Sequence, residues 1–257
     1  MKRTNLLSKL AHFRHANRRY RFITLLASLL LMFVAMAAVY MFQDNTKRLL
    51  PALSVALLFD LMLLSAVNAV SQTRKTMTLA ISIAIPAALF SLLSILFSSI
   101  SPPTIDKSIL VINNLLSIIF ITLVIILVLD FLFRAYHIDA NMICASLCIY
   151  LLMGVGWASL YSLCEVFHPN SFVYAYTEQF EQASMEFRGE KSLIPIYYSF
   201  VTLTTLGYGD IVPFSPPAKI LAILEAVIGQ IYLTVLVARL VGLHIAHVTS
   251  RHPNDPK

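Results

Sequence analysis

The sequence predicts an all-α membrane protein with six transmembrane helices and one shorter, re-entrant helix that leads into a loop. The chain has 257 residues, of which 58% are hydrophobic and 12% are charged, about half the charged fraction of an average soluble protein. Six apolar windows reach the length of about 20 residues that crosses a bilayer. A seventh is too short to cross. These three observations exclude an ordinary soluble fold.

The six long windows predict the transmembrane helices in chain order. They are Phe22–Phe42, Leu49–Val70, Met77–Phe97, Ile109–Phe133, Met142–Cys164 and Ile220–His244. The seventh window, Leu193–Leu206, carries Pro195 near its start, a position that suits the first turn of a helix because the missing N–H is not needed there. We expect this segment to enter the membrane and return as a helix followed by a loop.

The basic residues predict the orientation of the chain. Residues 1–21 contain lysines and arginines but no acid, which is typical of a cytoplasmic segment. With this segment inside, more than twice as many basic residues lie on the inner side as on the outer side, and the tail 249–257 is also cytoplasmic. The same segment either lies on anionic lipid as an amphipathic helix or is a simple basic tail. Because the positive charge is divided by side in this way, we expect a multi-pass protein of the plasma or inner membrane and no nucleic-acid partner.

A glycine-rich run, Thr205-Leu206-Gly207-Tyr208-Gly209-Asp210, follows the short window. A dehydrated cation needs several oxygens aimed at one axis, whereas an ordinary strand points successive carbonyls to opposite sides. Glycine adopts positive φ at little steric cost, so Gly207 and Gly209 permit the left-handed steps that such a ladder of carbonyls needs. A tight turn is the alternative for Gly-Tyr-Gly alone, but Thr205, Asp210 and the flanking apolar helices favour the ladder.

This run resembles the selectivity filter of the potassium-channel family, and the resemblance extends over roughly residues 142–248. It implies a homotetrameric pore, since one chain supplies one filter strand, with K⁺ as the transported ion and no other cofactor. It further implies that the protein is not an enzyme. The residues to which it assigns ion binding are Thr205, Leu206, Gly207, Tyr208 and Gly209, with Asp210 at the outer mouth. Leu206 stands where valine or isoleucine is commoner, and Val201 where some relatives have an acid that braces the filter.

The resemblance also divides the chain. Residues 22–137 form a four-helix membrane domain, and residues 138–248 form the pore domain. The pore domain consists of an outer helix (142–164), a turret (165–191), a pore helix and filter (192–210) and an inner helix (218–248). The four-helix domain occupies the place of a voltage sensor, but Ile109–Phe133 contains no lysine or arginine, so we expect no voltage gating. The turret is acidic and either concentrates cations at the mouth or is merely a solvated loop.

Two residues of the inner helix are candidates for a role in gating or support. Gly229 lies twenty residues beyond Gly209. Potassium channels, which this chain resembles, have a bend of the pore-lining helix at about that distance, and this suggests that Gly229 is a gate hinge. Close helix packing also selects glycine in membranes. Glu225 lies one turn earlier, and we expect it to brace the back of the pore helix rather than to line the lumen.

The remaining membrane-embedded charges have simpler interpretations. Asp60 lies in the middle of a span and is expected to be protonated or to bond to Ser91 or Asn113. Asp130 and Arg134 lie four residues apart, which predicts a local ion pair. Arg239 is near the inner end of its helix, from which it can reach water.

The histidines suggest one further hypothesis about gating. His244 and His247 lie three residues apart, so four copies would bring a ring of imidazoles together at the ion exit, where acidification would charge them. The alternative is that they simply stabilise a helix C-terminus.

Two other functions have to be weighed. A non-selective cation channel would share the pore and differ in sodium permeability. A membrane enzyme or haem protein is disfavoured, because the histidines all lie in tails, linkers or helix ends, where no pair faces another within the membrane. Cys144 and Cys148 are interpreted as small buried residues rather than metal ligands.

Overall fold

The computed structural model describes residues 21–37, 49–70, 74–98, 103–134, 139–174 and 193–251. These residues form helices joined by short connections, with one small sheet. The elements are α1 (Arg21–Ala37), α2 (Leu49–Val70), α3 (Arg74–Ser98), α4 (Pro103–Arg134), α5 (Ala140–Phe167), β1 (Phe172–Tyr174), α6 (Leu193–Leu203), β2 (Ile211–Pro213) and α7 (Pro216–Arg251).

Each of the six long apolar windows is helical over its described part, as the sequence predicted. Within the described residues, three helical segments are long and apolar enough to cross a membrane, namely Lys107–Arg134, Ala140–Phe167 and Pro216–Leu243. The segment predicted to be re-entrant is the 11-residue helix α6 followed by a loop, which is too short to cross. The architecture is that of an α-helical membrane protein.

Local sequence determines where the pore-domain helices begin. Asp139 precedes α5 in an extended conformation, and its carboxylate accepts a hydrogen bond of 2.8 Å from the Met142 amide, which is the usual arrangement of an N-cap. Ser215 does the same for α7 through the Ala218 amide, at 3.3 Å. The two prolines that follow Ser215 occupy the first turn of α7, where proline is best tolerated.

The helices pack mostly against their neighbours in the chain, with α2 on α3, α3 on α4 and α4 on α5. α1 joins this group through Phe22, whose ring lies 4.8 Å from that of Phe131 on α4. The same helix reaches α6, because the rings of Phe33 and Phe200 make an edge-to-face contact at 5.1 Å. Helices α1–α4 and helices α5–α7 therefore share one apolar core.

A two-stranded antiparallel sheet departs from the all-α prediction. Phe172 pairs with Pro213, Val173 with Val212 and Tyr174 with Ile211. Strands of three residues are too short to show a periodic pattern in the sequence. The sheet joins the chain leaving α5 to the chain leaving the glycine-rich loop, and so fixes the outer end of that loop. The rest of the predicted turret, like residues 1–20 and 252–257, lies outside the described residues.

Candidate functional site

The loop after α6 has an alternating backbone. Thr205, Gly207 and Gly209 have φ of 58°, 58° and 73°, whereas Leu206 and Tyr208 between them do not have positive φ. The positive φ predicted for both glycines is confirmed. Alternation of left- and right-handed residues turns successive carbonyls toward one side, which an ordinary strand does not do. Thr205 adopts this conformation despite its β-branch, so the loop holds one strained residue at its inner end.

The C-terminal end of α6 holds the start of this loop. The Val201 carbonyl accepts from the amides of Leu206 and Gly207, at 3.0 and 3.3 Å. The Thr202 carbonyl accepts from the Thr205 amide at 3.0 Å. A helix leaves its last carbonyls without partners, and here the loop supplies N–H donors to them. Val201 therefore supports the loop through its backbone carbonyl.

The outer end of the loop is fixed through Asp210. Its carboxylate accepts from the Tyr197 hydroxyl at 2.6 Å and from the Ile211 amide at 2.9 Å. Tyr197 belongs to α6, thirteen residues earlier in the chain, so this bond closes the loop onto its own helix. The sequence did not identify Tyr197, because no periodic pattern relates a residue of the helix to the far end of a loop.

Behind the loop, a buried polar cluster joins three helices. Glu225 of α7 has no exposed surface. Its Oε1 lies 2.5 Å from Ser199 Oγ on α6, and its Oε2 lies 2.5 Å from the Tyr161 hydroxyl on α5. Ser199 Oγ also lies 2.8 Å from the Gly154 carbonyl oxygen. The prediction that Glu225 braces the back of the short helix is confirmed. The sequence did not identify Ser199. A hydroxyl within an apolar segment was the available signal, because a membrane-buried acid needs a hydrogen-bond partner.

Two glycines allow the neighbouring helices to approach α6 closely. A Cβ added at Gly229 would lie 2.8 Å from Leu203 Cδ1 and 3.2 Å from the Leu203 carbonyl oxygen. One added at Gly154 would clash with the outer edge of the Phe200 ring. Tyr150 of α5 also donates to the Leu203 carbonyl at 3.2 Å. The contact with Leu203 thus supports the interpretation of Gly229 as a residue of close helix packing. α7 continues as one helix through this residue. The hinge stays a prediction.

The side chains of the loop are open on this chain. Leu206 and Tyr208 are 55% and 61% exposed. Together with Thr204, Tyr197 and Phe200 they line an apolar groove of about 500 Å³. Exposed aromatic and aliphatic side chains of this size are typical of a surface that another chain or lipid covers.

At the opposite end of the bundle, Arg239 of α7 meets the end of α4. Its Nη2 donates to the carbonyls of Leu132 and Phe133 at 2.7 and 2.9 Å. Its guanidinium also lies 5.0 Å from the centre of the Phe133 ring. The sequence predicted that Arg239 can reach water, and the structure adds that its side chain caps the neighbouring helix.

The other predicted charges have mixed outcomes. The Asp130–Arg134 pair is confirmed, with Nε and Oδ1 2.8 Å apart on an exposed surface. Asp60 was expected to be protonated or to bond to Ser91 or Asn113. Asp60 Oδ1 and Asn113 Oδ1 are both buried without a partner, which does not support the bond to Asn113, and protonation of Asp60 stays a prediction. His244 and His247 lie in the helical segment α7, but their side chains lie outside the described part, so the imidazole ring stays a hypothesis.

Among the described side chains, no group of three or more His, Cys, Asp or Glu could hold a metal ion. Cys148 and Cys164 are buried, and Cys144 is half-buried. Cys148 contacts the Phe22 carbonyl, as a small buried side chain would.

Comparison with known families gives one match. A family model described as an ion channel matches residues 162–244, which run from the end of α5 through the loop and along most of α7. No curated protein and no solved structure matches the chain. The matched region includes every loop residue described above, and together with the long apolar helices it supports an ion channel in a membrane.

Proposed function

We propose that four copies of this chain form a potassium-selective channel, in which the carbonyls of Thr205–Gly209 bind dehydrated K⁺. The alternation of positive φ at Thr205, Gly207 and Gly209 carries this proposal. A ladder of carbonyls on one side of a strand replaces the hydration shell of an ion, but one strand alone cannot surround it. Four strands around one axis can.

The surface of the chain supports assembly around that axis. Only 11% of the apolar window of α7 is buried within the chain, whereas 50% of the corresponding window of α5 is buried. Large aliphatic side chains such as Ile223, Val227 and Ile231 are more than half exposed along it. Leu206 and Tyr208 continue the same exposed surface onto the loop. Other copies and lipid would cover these side chains.

The chain would cross the membrane six times, with both termini in the cytoplasm. The contacts at one end of the bundle support this orientation. The Arg21 guanidinium, at the start of α1, lies 5.2 Å from the ring of Phe131 near the end of α4. Arg239 of α7 contacts the same end of α4. The basic ends of α1, α4 and α7 therefore share one level, as the excess of positive charge on the inner side requires.

The test is ion flux from liposomes that contain the purified protein. We expect potassium to permeate and sodium to be excluded. In Gly207→Ala, flux or selectivity should be lost while the tetramer persists, because a Cβ strains a residue at φ of 58°. Gly242→Ala is the matched control. Both glycines have open space where a Cβ would be added, but no positive φ occurs at Gly242.

The outcomes separate the candidates. Equal potassium and sodium permeability in the parent would indicate a non-selective cation channel. Loss of selectivity in both Gly207→Ala and Gly242→Ala would mean that the backbone conformation of the loop is not the cause. No ion flux in a correctly assembled parent would contradict the channel itself.

A further inference from the structure

The buried cluster behind the loop contains more contacts than hydroxyl protons. The cluster has three oxygen–oxygen contacts: Tyr161 Oη to Glu225 Oε2 at 2.5 Å, Ser199 Oγ to Glu225 Oε1 at 2.5 Å, and Ser199 Oγ to the Gly154 carbonyl oxygen at 2.8 Å. Each hydroxyl carries one proton, whereas a carbonyl oxygen and an ionised carboxylate carry none. Tyr161 and Ser199 therefore supply only two protons for three contacts.

We propose that Glu225 carries the third proton and that this neutral carboxyl group is the part of α7 that positions α6 behind the loop. Glu225 then donates from Oε1 to Ser199 Oγ, Ser199 donates to the Gly154 carbonyl, and Tyr161 donates to Oε2. Every contact has one proton and every proton has one acceptor. An ionised Glu225 would leave one of the two contacts of Ser199 without a proton.

The surroundings of Glu225 favour the same protonation state. Glu225, Ser199 and Tyr161 all have 1% of their surface exposed or less. The titratable side chains that interact with Glu225 from the described elements are the phenols of Tyr150 and Tyr161 on α5 and of Tyr198 on α6. Phenols are neutral at physiological pH. A buried negative charge here would have no cation in the described cluster to compensate it, and such charges are costly.

The consequence is a dependence on pH that differs from that of an ordinary surface acid. In the proposed network, Glu225 can ionise only by losing the proton that it donates to Ser199, so the contribution of this cluster depends on that proton. It is lost as the pH rises and the carboxyl group ionises. Alkaline pH should therefore release α6 from α7.

The direct test does not depend on ion conduction. In the assembled protein at neutral pH, infrared spectroscopy should show the carbonyl band of a protonated carboxylic acid that Glu225→Gln lacks. Asp130→Asn is the matched control, because it removes an exposed carboxylate and should leave that band unchanged. Equal band intensity in the parent and in Glu225→Gln would overturn the proposal.

One further variant, and the assembly of Glu225→Gln itself, keep this test decisive. Ser199→Ala retains Glu225 but removes its hydrogen-bond acceptor, so the band should shift; an unshifted band would contradict the assigned network. Glutamine presents an NH₂ donor to Ser199 and a carbonyl acceptor to Tyr161, and thus imitates the neutral acid. Glu225→Gln should therefore assemble like the parent, and a failure to assemble would count against a neutral Glu225.

A second measurement rests on the proposed channel function. Potassium flux of the parent should fall by about tenfold or more from about pH 7 to about pH 9, while that of Glu225→Gln should change by less than about twofold. A parallel fall in both proteins would contradict the role of this proton in positioning α6. Absence of flux in the parent would instead count against the channel, and the infrared result would still decide the protonation state.

Discussion

At the scale of single residues, the glycines of α7 and of the loop after α6 serve different purposes. Gly207 and Gly209 allow a backbone conformation that other residues adopt only with strain. Gly229 allows two helices to touch, since its missing Cβ leaves room for Leu203. Gly242 does neither, because among the described residues no atom outside its own stretch of helix lies within 4 Å of where a Cβ would be added. Substitution by alanine should therefore have three separate outcomes.

We expect Gly229→Ala to destabilise the assembled protein by about 1–3 kcal/mol, the usual cost of overpacking. The added Cβ would lie 2.8 Å from Leu203 Cδ1, so Leu203 must move. Leu203→Val removes that methyl group, and the double variant should recover part of the loss. Thermal unfolding of the four proteins of this cycle measures the coupling. If the cost of Gly229→Ala is the same in both backgrounds, packing against Leu203 is not the reason for glycine, and a hinge becomes the better explanation.

At the scale of elements, α6 is held by its neighbours from several directions. α5 contacts it through Tyr150 at the Leu203 carbonyl and through Gly154 at Phe200. α7 contacts it through Glu225 and Gly229. The outer end of the loop returns to it through Tyr197 and Asp210. A helix of 11 residues is too short to be stable alone, so these contacts determine where the loop lies.

Tyr197→Phe should weaken ion selectivity more than it weakens the fold. It removes the hydroxyl that donates to the Asp210 carboxylate. A hydrogen bond to a charged group contributes about 1.5–3 kcal/mol to stability. Asp210 is then fixed only by its own neighbour in the chain. Tyr232→Phe is the matched control, because it removes a phenolic hydrogen bond of 2.7 Å to the Ser146 carbonyl, away from the loop. The potassium-to-sodium flux ratio should fall in Tyr197→Phe only. A similar fall in both variants would mean that general loosening of the pore domain is responsible.

Arg239→Met should separate α7 from the end of α4. The substitution keeps the apolar stem but removes two hydrogen bonds to the last carbonyls of α4. We expect a loss of about 1–3 kcal/mol in thermal or denaturant unfolding. Arg134→Met removes a cation from an ion pair whose side chains are 79% and 56% exposed, which should cost only about 0–1 kcal/mol. Equal losses in the two variants would show that the contact with α4 contributes no more than a surface charge does.

At the scale of the whole molecule, α1–α4 pack against α5–α7, and α4 lacks the basic residues of a voltage sensor. Between Lys107 at its start and Arg134 at its end, α4 contains no basic residue. The contact between Arg239 and the end of α4 joins this domain to the inner helix. Movement of α4 would therefore reach α7, but the membrane potential has little charge on α4 to act upon.

We accordingly expect the proposed channel to have a shallow dependence on voltage. Each elementary charge that crosses the membrane field contributes about 2.3 kcal/mol per 100 mV, and steep opening needs several such charges in every subunit. Conductance measured across a planar bilayer should vary little beyond the driving force itself. A steep, saturating conductance–voltage curve would contradict this expectation and require gating charges elsewhere in the chain.

The sequence by itself determined the helical membrane fold and the position of the loop. Both follow from properties that lie within a short stretch of chain, such as the length of an apolar window and the freedom of Gly207 and Gly209 to adopt positive φ. The charge pair Asp130–Arg134 was predictable for the same reason, since helical spacing alone brings the two side chains together.

Only the tertiary structure decided which distant residues support that loop. The supporting pairs lie at separations in the chain that no helical or strand periodicity describes. They are Tyr197 with Asp210, Ser199 with Glu225, and Gly229 with Leu203. The sequence marked Glu225 as unusual, because a membrane-buried acid needs a partner, but many hydroxyls in the chain could have served. The small sheet of β1 and β2 was also decided by tertiary structure. Its strands have three residues each, so their pairing depends on where α5 and the loop end in space rather than on the preferences of the strands themselves.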